Sequence, residues 1–317
     1  MKRVLFTGGG GAGSEALLRL LHGRYDVHLA DADPEAGPAS VPARSWHRVP
    51  FAADPGFVEQ LRRLCRDLAI ELLVPGVDEE LLPIATASEA LAPDVLLPPT
   101  AFIETHLDKL ASQAMLKVHG IPVPETEALP LRRRVSFPCI VKPRRGRGSR
   151  DVATVRSEDE LRAHVLLCRR PADDFIVQEL LQGQEYTVTM VADRDGVLRA
   201  IVPVKVEVKR GITLRAQTDR DDAVTAACGA IHAASPVAGC FNIQLVKSEA
   251  GDVRPFEVNP RISTTTCLAL AAGVDFLELY CRTWPAQDPG APRLASFRDH
   301  LRLKRSWNNQ FLSGETE

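Results

Sequence analysis

Apolar positions in the first hundred residues recur in two alternating rhythms. Val4 to Thr7 is a short apolar run that ends in Gly8 to Gly11, and Ser14 to Leu21 follows at helical spacing. Val27 to Ala30 is a second run, stopped by Asp31-Ala32-Asp33-Pro34. Phe57 to Leu68 places Val58, Leu61, Leu64, Cys65 and Leu68 at helical intervals, and Leu72 to Val74 ends at Pro75-Gly76. Buried runs alternating with amphipathic helices predict parallel strands covered by helices, an α/β lobe over residues 1–99.

Pro98-Pro99-Thr100 interrupts this rhythm and marks a boundary. One helix is predicted from about Thr105 to Val118, closed by Gly120 and Pro122. Short strands then take over: Cys139 to Lys142, Ile176 to Gln178, Thr187 to Val191 and Leu198 to Val204, with a hairpin turn at Asp193 to Gly196. Lys205, Glu207, Lys209, Arg210 and Arg215 surround Gly211 in what reads as a charged loop. Ala223 to Ala234 reads as a helix. Phe241 to Val246 and Arg254 to Val258 read as strands joined by a turn at Glu249 to Asp252, and Thr266 to Ala272 opens a closing helix. Pro285 to Pro292 reads as a linker, and residues 293–317 as a helix, an oligomer contact or a tail. No internal repeat is evident.

A chain of 317 residues is long enough for two or three lobes. Its net charge of -2 gives no basis for non-specific binding to nucleic acid or anionic membranes. Seven scattered cysteines without a Cys-x-x-Cys pair argue against a disulfide framework or a thiolate zinc site and suit a reducing compartment. The N-terminal apolar run is too short for a signal peptide, and no run reaches the roughly 18 apolar residues of a membrane span. The expected setting is cytoplasmic, without nucleic-acid or membrane partners.

Two nucleotide signals compete. Gly8, Gly10 and Gly13 match G-x-G-x-x-G directly after a strand, with Asp31 where a ribose-binding acid is expected. That pattern supports an NAD-dependent dehydrogenase, or equally a tight turn that needs glycine. The rest of the chain carries a different set of groups. Asp108-Lys109 lies on the predicted helix, and Ile140-Val141-Lys142-Pro143 leads into Arg144-Arg145-Gly146-Arg147-Gly148-Ser149. Lysines beside a glycine-serine turn suit a polyphosphate, with backbone N–H groups cradling its oxygens. Ile176 to Leu181, with Glu179 and then Glu185, can hold a base edge and a ribose. Asn242-Ile243-Gln244 and Phe256-Glu257-Val258-Asn259-Pro260-Arg261 complete the set. Strand alternation puts Glu257 and Asn259 on one face, and Asn242 and Gln244 on one face. If the two faces coincide, Gln244, Glu257 and Asn259 converge as oxygen ligands suited to magnesium.

In this order the elements resemble the ATP-grasp superfamily, closest to the carbamoyl-phosphate synthetase large subunit and its stand-alone carboxylate–amine ligase relatives. Phe256 to Ser263 is similar to that family's metal-binding strand and turn, and Val74-Pro75-Gly76-Val77-Asp78-Glu79-Glu80-Leu81 to its N-terminal lobe. The resemblance spans about residues 1 to 284. It implies an N-terminal Rossmann-like pre-ATP-grasp lobe (1–99), a two-part α+β ATP-grasp module (100–284), and a linker and tail (285–317).

The resemblance also implies roles. Lys109 and Lys142 would bind ATP phosphates, and Gly146, Gly148 and Ser149 would form a lid over them. Glu179, Leu180 and Leu181 would be the adenine hinge, with Glu185 on the ribose, and the charged segment around Gly211 would either approach the β-phosphate or the acceptor or remain a solvated loop. Gln244, Glu257 and Asn259 would coordinate magnesium, or manganese in its place, and Arg261 with Lys142 would act on the reacting phosphoryl group. The implied activity is an ADP-forming ligase that joins a small carboxylate to an amine or other nucleophile through an acyl phosphate, with a dimer favoured. The alternatives are a carbamoyl-phosphate-type carboxylate kinase, the dehydrogenase, and a nucleotide-binding protein without turnover. Two departures from the family stand out. Asp151 occupies a position where relatives often have glycine, and Gln244 one where many ligases have a carboxylate.

Overall fold

The computed structural model describes residues 1–131, 134–284 and 294–306. Its first lobe is built from β1 (Lys2–Thr7), α1 (Ser14–Leu21), β2 (Tyr25–Asp31), β3 (Trp46–Arg48), α2 (Phe57–Asp67), β4 (Leu72–Val74), α3 (Asp78–Thr86) and β5 (Asp94–Val95). The five strands pair in parallel in the order β3-β2-β1-β4-β5. The predicted alternation is therefore real, and the lobe is a Rossmann-like open sheet. Strand order reverses between β1 and β4, which brings the turns after Thr7 and Val74 together at one edge of the lobe.

The glycine turn is explained by the protein's own packing. A Cβ on Gly8 would lie 2.6 Å from Val77 Cγ2, and one on Gly10 would lie 2.4 Å from Ala36 Cβ. Asp31, the expected ribose ligand of a dehydrogenase, accepts the Gly10 backbone N–H at 2.9 Å. The turn thus needs glycine for close approach, without a dinucleotide.

The chain then forms α4 (Thr100–Leu107), α5 (Lys109–Val118), β6 (Thr126–Ala128), β7 (Cys139–Pro143), β8 (Ala153–Val155), α6 (Glu158–Cys168) and β9 (Phe175–Glu179). Helical spacing predicts one helix over 105–118, but Asp108 (φ -101°, ψ 103°) breaks it in two and caps the second part. Strands β6 to β9 form a four-stranded antiparallel sheet in the order β6-β9-β7-β8.

A larger sheet follows: β10 (Gln184–Ala192), β11 (Leu198–Arg210), β12 (Ile212–Thr218), α7 (Asp222–Ala234), β13 (Gly239–Lys247), β14 (Val253–Asn259), α8 (Thr266–Ala271), α9 (Phe276–Cys281) and β15 (Arg302–Lys304). Its order is β14-β13-β10-β11-β12-β15. The segment read as a charged loop is instead a hairpin, with β11 running to Arg210 and β12 starting at Ile212. The linker 285–292 lies outside the described residues, whereas Arg302–Lys304 adds an edge strand to the large sheet against β12.

One apolar core joins the N-terminal lobe to the large sheet, with Val4, Phe6 and Leu17 packed in the same cluster as Val202, Cys240, Leu268 and Phe276. The opposite face of that sheet packs Val188, Phe241 and Ile243 against α7 and α5. Burial of this kind contributes about 1.5–3 kcal/mol per large side chain. It is what holds the N-terminal lobe and the helices α5 and α7 to the large sheet, while the small sheet packs a cluster of its own around Cys139, Val141 and Phe175.

Candidate functional site

The cleft, about 350 Å³, lies between the small sheet, the large sheet and the loop joining β7 to β8. Register creates its most distinctive wall. Gln244 of β13 stands directly opposite Glu257 of β14, and Asn242 opposite Asn259. Directly opposed residues project on one face, so the two strand faces coincide as the alternation requires. Asn259 donates its Nδ2 to Asn242 Oδ1 (3.2 Å), and Asn242 donates to the Arg261 carbonyl (2.9 Å). These bonds occupy the amide nitrogens and leave Asn259 Oδ1 as an acceptor. Among the described residues, no hydrogen bond takes up the Gln244 carboxamide or the Glu257 carboxylate.

Three lysines surround that wall. Lys109, the first residue of α5, donates to the Gly146 carbonyl (2.7 Å) and stands 3.6 Å from Glu257 Oε1. Lys142, at the end of β7, donates to Gln178 Oε1 (2.9 Å) and lies 5.4 Å from the centre of the Phe256 ring. Lys209 of β11 donates to Glu185 (2.5 Å). Burial lowers the Lys142 pKa to about 8; Glu257 opposes the shift, while Lys109 and Lys209 reinforce it. Burial raises the Glu257 pKa, but Lys109, Lys142, Lys209 and Arg261 outweigh it and hold the carboxyl below its ordinary value. The Glu257 carboxylate stays ionised among these cations. Such a site is built for a polyanion.

The β7–β8 loop covers one side. Gly146, Gly148, Ser149 and Asp151 all have positive φ, and Ser149 Oγ donates to the Gly211 carbonyl at the β11–β12 turn (3.4 Å). At Asp151 φ is +56°, a left-handed conformation that explains why glycine suits this position. Its carboxylate lies 3.8 Å from Arg170 Nη1, and Asp151 does not line the cleft. Glu179, Leu180, Leu181 and Glu185 line the opposite wall with Ile140, Val246 and Phe256. The Glu179 carboxylate is occupied by Arg254 and by the Glu125 N–H, so its side chain ties the small sheet to the large one.

All the sequence-selected residues therefore meet at one cleft. Arg147, Gln178 and Phe256 were not selected and line it too, and so does Lys209, from the charged segment left open between a solvated loop and an approach to the phosphates. The signal for Lys209 was present: Val204, Val206 and Val208 alternate with Lys205, Glu207 and Lys209 up to Arg210-Gly211, a hairpin pattern. His106, the one histidine near Lys109 in sequence, is a core residue. It bonds Ser112 Oγ (2.8 Å), packs on Phe102, and burial lowers its pKa to about 4. Among the described residues no helix is long and apolar enough to cross a membrane.

The donor set fits magnesium and a nucleoside polyphosphate. Gln244, Glu257 and Asn259 present hard oxygen atoms with one carboxylate, which is what magnesium takes when phosphate and water supply its other ligands. The lysines and the glycine loop fit a polyphosphate, and the apolar wall fits a flat base.

Residues 171–305 match the family described as ATP-grasp in the biosynthetic pathway with Ter operon. Over 108 residues the chain is 30% identical to a D-alanine–D-alanine ligase of Corynebacterium aurimucosum, covering 32% of this chain and only 30% of that ligase. The β-γ-ATP complex of biotin carboxylase from Campylobacter jejuni superimposes with a TM-score of 0.71 at 16% identity, over 90% of this chain and 72% of that one. An L-amino acid ligase from Bacillus licheniformis gives 0.67 at 18% identity, over 88% and 73%. Residues 171–305 thus match an ATP-grasp family, and the chain as a whole shares the fold of biotin carboxylase and the L-amino acid ligase.

Proposed function

We propose that the chain is an ATP-dependent ligase that phosphorylates a substrate carboxylate and passes the acyl group to an amine or another nucleophile, releasing ADP and phosphate. The observation that carries this reading is the cross-strand pairing of Gln244 with Glu257 and Asn242 with Asn259 beneath three lysines. It is supported by the ligases among the proteins the chain resembles. Residues 1–99 are assigned to the substrate-side lobe and 100–284 to the nucleotide-binding module.

Magnesium, held by Gln244, Glu257 and Asn259, would neutralise phosphate charge and polarise the transferring group. The remaining work falls to the chain's own residues. Lys109 and Lys142 hold phosphate oxygens, the Gly146 to Ser149 loop closes over them, and Leu180 and Leu181 pack on the base. Glu185, which accepts a hydrogen bond from Lys209, accepts others from a ribose. Arg261 spreads charge as it develops between donor and acceptor oxygens. No side-chain nucleophile is required, because positioning and electrostatics carry phosphoryl transfer.

The test is ADP and phosphate release from the purified protein with Mg-ATP and pooled carboxylates and amines, beside Glu257→Ala. Substrate-dependent ADP release that disappears in the variant supports the ligase. Formation of AMP and pyrophosphate would exclude the acyl-phosphate route.

A further inference from the structure

Two arginines reach the phosphate side of the cleft from opposite directions, Arg147 from the β7–β8 loop and Arg261 from the turn after β14. Each is gripped by the N-terminal lobe at the same atom. Arg261 donates through Nε to Asp78, and Arg147 donates through Nε to Glu79 Oε2 (2.8 Å). Asp78 and Glu79 are consecutive residues in the first turn of α3, where the helix dipole favours carboxylates. The turn that carries them follows β4, at the point where the parallel sheet reverses its strand order.

Gripping an arginine at Nε leaves its terminal nitrogens available to other partners. Arg261 Nη1 bonds its neighbour's carbonyl, Ile262 O, at 3.0 Å. Among the described residues, no partner engages Arg261 Nη2 or either terminal nitrogen of Arg147. A planar guanidinium held from one side presents the remaining N–H groups in a fixed direction, which matches the oxygens of a carboxylate or phosphate. Asp78 and Arg261 are 12% and 14% exposed, so this pair is sheltered enough to hold its geometry.

We propose that Asp78 and Glu79 are positioning residues that aim Arg261 and Arg147 from the N-terminal lobe at an anion in the cleft. The acids touch no substrate; they act through the arginines. The lobe that would receive the second substrate thereby governs how the phosphate end is gripped. This rests on the nucleotide reading above.

Charge alone predicts the opposite outcome, which makes the idea testable. Removing a carboxylate near a triphosphate should tighten binding by electrostatics, whereas losing the aim of an arginine should weaken it. Mg-ATP affinity would be measured by calorimetry for wild type, Asp78→Ala, Arg261→Gln and the double variant, and for Glu79→Ala, Arg147→Gln and their double. Melting temperatures would confirm that each variant folds. The Glu79–Arg147 pair is the more exposed and serves as the safeguard if Asp78→Ala fails to fold. The expected result is a loss of about tenfold for each acid, with each double variant no weaker than its arginine variant alone. Tighter binding in the acid variants, or losses that add, would overturn the positioning role. Wild-type protein that binds no Mg-ATP would overturn the nucleotide reading and this proposal with it, whereas additive losses leave that reading standing.

Discussion

Replacing Asp108 with asparagine and with alanine should weaken the protein in two separable steps. The carboxylate caps α5, accepting the backbone N–H groups of Leu110 (3.1 Å) and Ala111 (3.2 Å). It also pairs with Arg144, whose Nε and Nη2 lie 2.8 Å and 2.7 Å from it. Asparagine keeps the cap and removes the charge; alanine removes both. Loss of the cap costs about 1 kcal/mol. Because the Arg144 side chain is 41% exposed, solvent screening keeps the charged pair below about 1 kcal/mol. Asp108→Asn should therefore lower stability by under about 1 kcal/mol, and Asp108→Ala by about 1–2 kcal/mol, read from urea unfolding. The functional effect follows from Lys109, the first residue of α5, whose N–H donates to the Arg144 carbonyl (3.0 Å). Freed from the cap, its ammonium loses its fixed approach to Gly146 and Glu257, and Mg-ATP affinity should fall about tenfold in the alanine variant and less in the asparagine one.

The pH dependence has a definite sign. Burial raises the Asp108 pKa, but the Arg144 hydrogen bonds and charge outweigh it, so the folded value lies below the ordinary one. Its stabilisation is present above the unfolded value of about 3.9 and is lost as pH falls through the folded value, so wild type and Asp108→Asn should converge in acid. Asparagine and alanine variants that match each other in both unfolding and Mg-ATP affinity would refute the division of roles.

Three further outcomes are expected. Burial raises the Glu80 pKa to about 7, so its stabilising proton is fully present below about pH 4 and lost as pH rises through 7; wild type should lose up to about 3 kcal/mol across that window and Glu80→Gln should not, by urea unfolding at pH 5 and 8. Asp151→Gly should leave stability unchanged or raise it by under about 1 kcal/mol, since φ is +56° there, while stopped-flow nucleotide release becomes faster as the loop loosens. With Glu257→Gln the gain in ATP affinity on adding magnesium should shrink at least tenfold, because the one ionised ligand is gone; an unchanged magnesium dependence would remove Glu257 from the metal site.

Local rules made most of this protein readable. Period-two and helical spacing located the parallel lobe, the hinge strand and the β13–β14 hairpin, because each depends on which face of a short element is apolar. The residues of the cleft were recognisable because phosphates need cations and glycine, and hard metals need oxygen. The misses share a cause. Helical periodicity runs through Asp108 unchanged, since the break depends on Arg144 approaching from another strand. Charged residues hid the β11–β12 hairpin, because a strand at the cleft puts Lys209 where a solvent-facing residue would otherwise stand.

The sequence by itself determined the elements, their order and the chemical inventory of the cleft, since these follow from spacing and residue type. Only the tertiary structure decided which strand faces coincide, that Glu179 spends its carboxylate on Arg254, and that Asp78 and Glu79 reach Arg261 and Arg147. Register and contacts between residues some 70 to 180 positions apart depend on how whole layers pack, and a shift of one residue in a strand would turn every one of its cleft-facing side chains to the other face.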